Sequence, residues 1–283
     1  MTQTLSRERS SRFSLRSLES GWISVTASAL FLAFIIIAAI APSLLAPGDP
    51  LAIDPVSGFI GPSLTHPFGT DESGRDIYTR VVHGAGSSVD IGLAATAIGV
   101  VSGAVLGFAA CLGPRWLDAA LARVFEVLFA LPTLVIALLF VAVLGGGAWS
   151  ATLAIGLATI PGYARMIRAR VRGIAASGYA EWARLDGAGP FSVFTKHIAP
   201  NSLWPLVSAA TLGVGQSIVW VAALGFLGLG AEPPAPEWGA MLDAGRVYLS
   251  SAWWMTVMPG LTIVATATAL TVIGRRFAVG GSR

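Results

Sequence analysis

Long apolar runs separated by short polar breaks make up most of the chain, and their lengths predict membrane-crossing helices. Residues 22–41 hold no charge and are about as long as a bilayer core requires. They follow a polar, arginine-bearing segment, residues 1–21, and no small-x-small cleavage site comes cleanly after them. The run therefore reads as an uncleaved first span within residues 22–45, not as a signal peptide. Residues 46–88 form a hydrophilic excursion rich in Pro, Gly and Asp. Within it Ile77, Tyr78, Val81 and Val82 mark a short amphipathic helix on the membrane surface, with Thr70 or Asp71 as its cap. Five more apolar runs, 89–112, 124–144, 148–164, 203–226 and 255–273, bring the expected spans to six and make residues 89–276 a five-helix core. Residues 227–254 form a second loop and 277–283 a tail. Gly99, Gly103 and Gly107 recur every four positions, a small-residue stripe that lets two helices approach closely in lipid.

The one long polar interruption in the second half is residues 177–201. Glu181 falls in a first helical turn, where an acid suits the positive end of the helix dipole. Gly187, with Gly189-Pro190 beyond, ends that helix. Tyr179, Trp182 and Ala183 share a face at i, i+3 and i+4, while Glu181 and Arg184 point elsewhere. A second apolar stripe, Phe191, Phe194 and Ile198, precedes Pro200 and Pro205. The stretch reads as a helical elbow outside the membrane that offers aromatic side chains to a partner in water.

Composition sharpens the class. Hydrophobic residues are 54% of the chain and charged ones 12%, too few for the surface of a soluble domain of this length. A single cysteine, Cys111, excludes an intrachain disulfide and a cysteine-based metal cluster. Fifteen of the 18 basic residues fall on the side of the termini and the elbow, against Arg75, Arg80 and Arg246 on the other. The positive-inside rule then puts both termini and the elbow in the cytoplasm. The small positive net charge follows from this topology and does not point to nucleic acid. Arg165, Arg168, Arg170 and Arg172, beside the elbow, are accounted for as topology determinants.

Several chemistries are excluded. A phosphate-binding loop GxxxxGK[ST] needs a lysine, and the only lysine, Lys196, sits between Thr195 and His197. None of the three histidines belongs to a His-Glu-x-x-His zinc motif, and Gly86-Ser87 has no intramembrane histidine partner. Asp71, Glu72 and Asp76 form an acidic cluster, but arginines stand close by and no metal site is assigned. An ion-coupled secondary carrier stays as the alternative of another class, although such carriers usually keep ionisable groups at mid-membrane, where these runs hold almost none. Ser208, Thr211 and Gly215 share a face of the fifth run with Gln216 close by. Those residues either line a path or bond neighbouring helices, and the sequence leaves both open.

The order Glu181-Trp182-Ala183, Gly187, Ile198-Ala199-Pro200 resembles the coupling loop of bacterial ABC importer permeases, with Trp182 where Ala is usual and Ala199 where Leu is common. His66-Pro67-Phe68-Gly69-Thr70-Asp71-Glu72-Ser73-Gly74-Arg75-Asp76 resembles the signature of the dipeptide/oligopeptide/nickel branch of that family. Arg123-Val124-Phe125-Glu126, Leu131-Pro132 and the residues 227–239 are similar to the same branch, with Glu126 in place of Asp. The resemblance implies an all-helical type I ABC importer permease with six transmembrane helices in a bacterial inner membrane. It implies a heterodimer with a sister permease, one or two cytoplasmic ATPase subunits that bind ATP and Mg, and an extracytoplasmic substrate-binding protein. The coupling surface it implies comprises Tyr179, Glu181, Trp182, Ala183, Arg184, Gly187, Ala188, Ile198 and Pro200. The implied cargo is a dipeptide or oligopeptide, with nickel, glutathione or another small solute as alternatives.

Overall fold

The computed structural model describes residues 22–280; the polar segment 1–21 and the last residues of the 277–283 tail lie outside the described residues. The described chain is all-helical, and the nearest approach to a strand is one isolated bridge between Thr70 and Asp76. Helix α1, Trp22–Ile40, is the first apolar run and lies mostly exposed. Helix α2, Ile77–Leu112, has 36 residues. At about 1.5 Å per residue it is roughly 54 Å long, well beyond a bilayer core of about 30 Å.

That length corrects the expected surface helix. Ile77 to Val82 is not a separate element but the first turns of α2, and the cap is Asp76 rather than Thr70 or Asp71. Asp76 Oδ2 accepts from the Thr79 amide at 2.8 Å and the Thr79 hydroxyl at 2.7 Å. No proline interrupts residues 77–112, so nothing ends the helix at Ser88. Ile77, Val81 and Val82 are buried among protein neighbours rather than lying on a membrane surface.

The expected third span is broken. Helix α3, Arg115–Phe129, and helix α4, Thr133–Leu144, meet at 97° around Leu131-Pro132. Proline removes one amide donor and disfavours helical geometry in the residue before it, which places the break there. Helix α5, Ala148–Ala175, contains Pro161 and continues through the arginines that close its apolar part. Helix α6, Gly178–Leu185, and the four residues of α7, Pro190–Val193, form the elbow. A π-helical turn, Phe194–Ile198, leads without a break into α8, Ala199–Phe226. The second loop contains its own helix, α9, Trp238–Arg246, before α10, Trp254–Gly280.

Among the described residues four helices are long and apolar enough to cross a membrane, and the α3–α4 pair makes a fifth. Of the six spans read from sequence, α5 is the one that falls outside that set by length and hydropathy. Its apolar stretch ends in Arg165, Arg168, Arg170 and Arg172 within the same helix.

Candidate functional site

The elbow is built by local hydrogen bonds. The Ser177 carbonyl accepts the amides of Ala180 and Glu181, both at 3.1 Å, starting α6. At the other end Gly187 adopts φ +84, the left-handed conformation glycine takes without strain. The Gly187 amide returns to Arg184 O at 3.1 Å and the Ala188 amide to Ala183 O at 3.0 Å, a complete Schellman stop. Ala183 and Ala188, which that motif brings together, turn inward beside buried Ala180, Val193 and Ile198.

The sequence-predicted coupling residues therefore divide. Tyr179, Glu181, Trp182, Arg184, Gly187 and Pro200 are exposed, whereas Ile198 is buried and Ala183 and Ala188 are half-buried. Trp182 is 74% exposed, and Leu185 and Phe191 stand out of the protein beside it at 76% and 80%. Leu185 went unnoticed in the sequence although it continues the i, i+3 row of Tyr179 and Trp182. Of the expected stripe, Phe194 and Ile198 turn inward, whereas Phe191, on α7 before the π-turn, is exposed. Phe194 instead packs edge-to-face on Phe108, with centroids 5.5 Å apart.

At the base of the elbow Asp118 of α3 accepts from Arg168 Nε at 2.6 Å and from Arg172. Two of the four arginines assigned only to topology therefore have a structural partner. One turn earlier on α5, the Arg165 guanidinium lies 4.0 Å from the centre of the Phe129 ring of α3. The Arg123–Glu126 pair is an exposed i, i+3 contact at 3.2 Å, a class that stabilises by less than about 1 kcal/mol.

Deeper in, the end of α3 with α4, α5 and α8 surrounds a cavity of about 350 Å³. Its wall is apolar apart from Thr133, Thr159, Tyr163, Gln216 and Ser217, and carries no charged side chain. Of the four residues proposed from sequence for a path, only Gln216 lines it. Gly215 faces α10, where an added Cβ would lie 3.1 Å from Ala267. Ser208 is buried, and the Thr211 hydroxyl donates to Val207 O at 2.9 Å. Tyr163, which no sequence pattern marked, crosses from α5 to α8. Its Cβ lies against Gly103, and its hydroxyl lies 2.0 Å from where a Cβ on Gly213 would be. The rest of the glycine stripe also faces α5: Gly99 lies against Gly156 and Thr159, and Gly107 against Ala164 and Ile167.

At the end opposite the elbow, the signature residues fold their own loop. The buried Thr70 hydroxyl donates to Ser57 O at 2.6 Å and accepts from the Ile60 amide at 2.8 Å. Asp71 accepts the amides of Ser73 and Arg75, both at 2.9 Å, and lies 3.5 Å from Arg75 and 3.8 Å from Arg80. Gly69 and Gly74 have positive φ, and a Cβ on Gly74 would lie 1.8 Å from Asp54 O. His66 Nδ1 is 3.0 Å from Asp76, and His83 Nε2 is 3.0 Å from Ala46 O. In the second loop, Glu237 caps α9 by accepting the amides of Gly239 and Ala240 at 2.8 and 2.9 Å. Burial holds its carboxyl above the ordinary glutamate value, opposed by those two amides and by the Ser88 hydroxyl.

Residues 95–279, which include the elbow, the cavity walls and the α3–α4 bend, match the binding-protein-dependent transport system inner membrane component family. The chain belongs to that family. This permease component is 36% identical over 263 residues to the dipeptide transport system permease protein DppC of Alkalihalophilus pseudofirmus, covering 93% of the chain and 86% of that protein. It is 36% identical over 258 residues to the probable D,D-dipeptide transport system permease protein DdpC of Escherichia coli K12, covering 91% and 86%. It is 39% identical over 250 residues to the glutathione transport system permease protein GsiD of Shigella dysenteriae, covering 87% and 82%. Among solved structures, an inward-facing MetNI methionine ABC transporter superposes with TM-score 0.59 at 19% identity, over 72% of this chain and 97% of that one. An amino acid ABC transporter with histidines gives TM-score 0.56 at 17% identity, over 70% and 95%. These two share the fold. With its several apolar helices, the permease component is a multi-pass inner-membrane protein.

Proposed function

We propose that this chain is the membrane subunit of an ATP-driven importer of dipeptides or oligopeptides. It works beside a sister permease, with one or two ATPase chains below it and a substrate-binding protein above. The observation that carries the reading is the elbow. Trp182, Leu185 and Phe191 are exposed on a rigidly stopped turn of polar chain, an apolar surface that needs a protein partner in water. The chain has no lysine-bearing phosphate loop, so ATP and Mg bind in that partner. The arginine distribution supports an elbow and both termini on the cytoplasmic side. The names of the relatives support peptide as cargo. Glutathione, itself a short peptide, is the competing cargo and is supported by the GsiD likeness.

The test is reconstitution of the permease with its sister permease, ATPases and binding protein in proteoliposomes. ATP-dependent uptake of a labelled dipeptide is expected, and Trp182→Ala should lower both uptake and ATPase association by about tenfold, the scale of losing one buried aromatic anchor. Full uptake by Trp182→Ala, or uptake by vesicles holding this polypeptide alone, refutes the assignment.

A further inference from the structure

We propose that Asp118, Arg168 and Arg172 form a strut that carries elbow movement to the wall of the membrane cavity. The proposal rests on the reading of the elbow as the ATPase contact. Arg168 and Arg172 lie four residues apart on one face of α5, in its last turns before α6. Both bind the same carboxylate, in the first turn of α3. The Arg168 and Asp118 side chains are about four-fifths buried, at 21% and 20% exposure, so solvent screens this pair less than a free surface pair.

The far end of α3 is tied to the same half of α5, through Arg165 over Phe129. Helix α3 is thus fastened to the elbow end of α5 at its first and its last turn. Helix α4 is held elsewhere: Ile136, Ala137 and Val141 pack with Ala151, Ala154 and Ile155 of the other half of α5.

Between these two attachments lie two prolines. Pro132 stands at the break between α3 and α4, and Pro161, followed by Gly162, lies inside α5, which runs unbroken past it. Proline removes a backbone hydrogen bond, so the helix is weakest against bending there. Leu131 on one side and Pro161 with Gly162 on the other line the cavity. These contacts join the elbow, the second half of α5 and α3 into one body, with α2 packed on it at Gly103 and Gly107, and the cavity wall lies where that body meets α4. A push on Trp182 turns that body, and Asp118 makes α3 follow. Without the strut, α5 moves and the Leu128-to-Leu131 side of the cavity lags.

The experiment uses the complete reconstituted importer and measures dipeptide transported per ATP hydrolysed, with the melting temperature of the complex alongside. Asp118→Asn is expected to lower transport per ATP at least about fivefold, the lower end of measured allosteric couplings, with little change in melting temperature. The exchange Asp118→Arg with Arg168→Asp should recover most of the ratio. If Asp118→Asn does not assemble, Arg172→Gln removes the more exposed contact and should lower the same ratio. An unchanged ratio in these variants overturns the strut. So does a ratio that falls only as the melting temperature falls, with no recovery in the exchange. Trp182→Ala is the control that separates the two ideas: normal coupling there sinks the elbow reading and the strut with it. A defective Trp182→Ala beside normal Asp118 variants sinks the strut alone.

Discussion

Replacing Gly103 by alanine should destabilise the permease even though alanine is the better helix former. A Cβ built on Gly103 would lie 2.5 Å from Tyr163 Cβ, 3.0 Å from the Ala164 amide nitrogen and 3.1 Å from Ile160 O. Two of those atoms are backbone and the third is fixed to it, so no rotamer change relieves the contact. Overpacking of this kind typically costs about 1–3 kcal/mol. The gain in helix propensity is about 1 kcal/mol, so the net loss is about 0 to 2 kcal/mol. Gly173, on α5, is the internal control, since a Cβ there meets nothing within 4 Å. Gly173→Ala keeps the propensity gain without the clash and should be neutral or stabilising by up to about 1 kcal/mol. Gly103→Leu, with three more carbons to place, must move α2 away from α5 and should lose more than the alanine. The assay is thermal unfolding of the purified permease complex, read as the fraction surviving gel filtration after heating. If Gly103→Ala melts with or above Gly173→Ala, or Gly103→Leu gives an unchanged yield of complex, then close approach of α2 and α5 is not what the glycine provides.

Three further outcomes follow from the geometry of the loops. Gly187→Pro should abolish the Schellman stop, because proline cannot adopt φ +84 and has no amide to donate to Arg184 O; ATPase activity should continue while transport falls at least about tenfold, and membrane insertion should be normal. Glu181→Lys should weaken the same coupling by placing a cation at the positive end of α6; wild-type uptake by both variants would count against the elbow. Burial raises the folded-state pKa of Glu237 above its unfolded value, so the native state holds its proton over a window above the ordinary glutamate value while the unfolded state has lost it. Its contribution is therefore present below that window and declines as pH rises through it. Glu237→Gln should flatten this part of the melting temperature–pH curve, and an unchanged slope would show that another group sets it.

How much of this was legible in the sequence depends on the kind of contact. The elbow was, because its start, its stop at Gly187 and its row of apolar positions are all local features. The membrane runs were legible as runs but not as elements. Hydropathy averages over a window and does not register that Asp76 caps better than Thr70, so the first turns of α2 read as a surface helix. It equally passes over Leu131-Pro132, where a dipeptide turns one expected span into two helices at 97°. The glycine stripe predicted a close helix contact without naming the partner, and α5 could be identified only once Gly156, Tyr163 and Ala164 were in place.

The choice between path and helix contact stayed open in the sequence for a related reason. Ser208, Thr211 and Gly215 were chosen because they share a face and are polar or small, yet in a helical bundle such residues also serve close packing and bonds within the helix. Gly215 does the first against α10 and Thr211 the second to Val207. What separates a wall from a contact is whether a neighbour fills the space in front of it, and that is a property of the other helices. Gln216 lines the cavity, and Tyr163 reaches it because Gly103 and Gly213 carry no side chain where Tyr163 lies. The placing of Tyr163 thus depends on glycines that offer no polar side chain. A search of the sequence for polar residues looks past such positions. The same logic applies to the arginines beside the elbow: as charges they set topology, but only the placement of Asp118 opposite two of them turns that end of α5 into something that can pull.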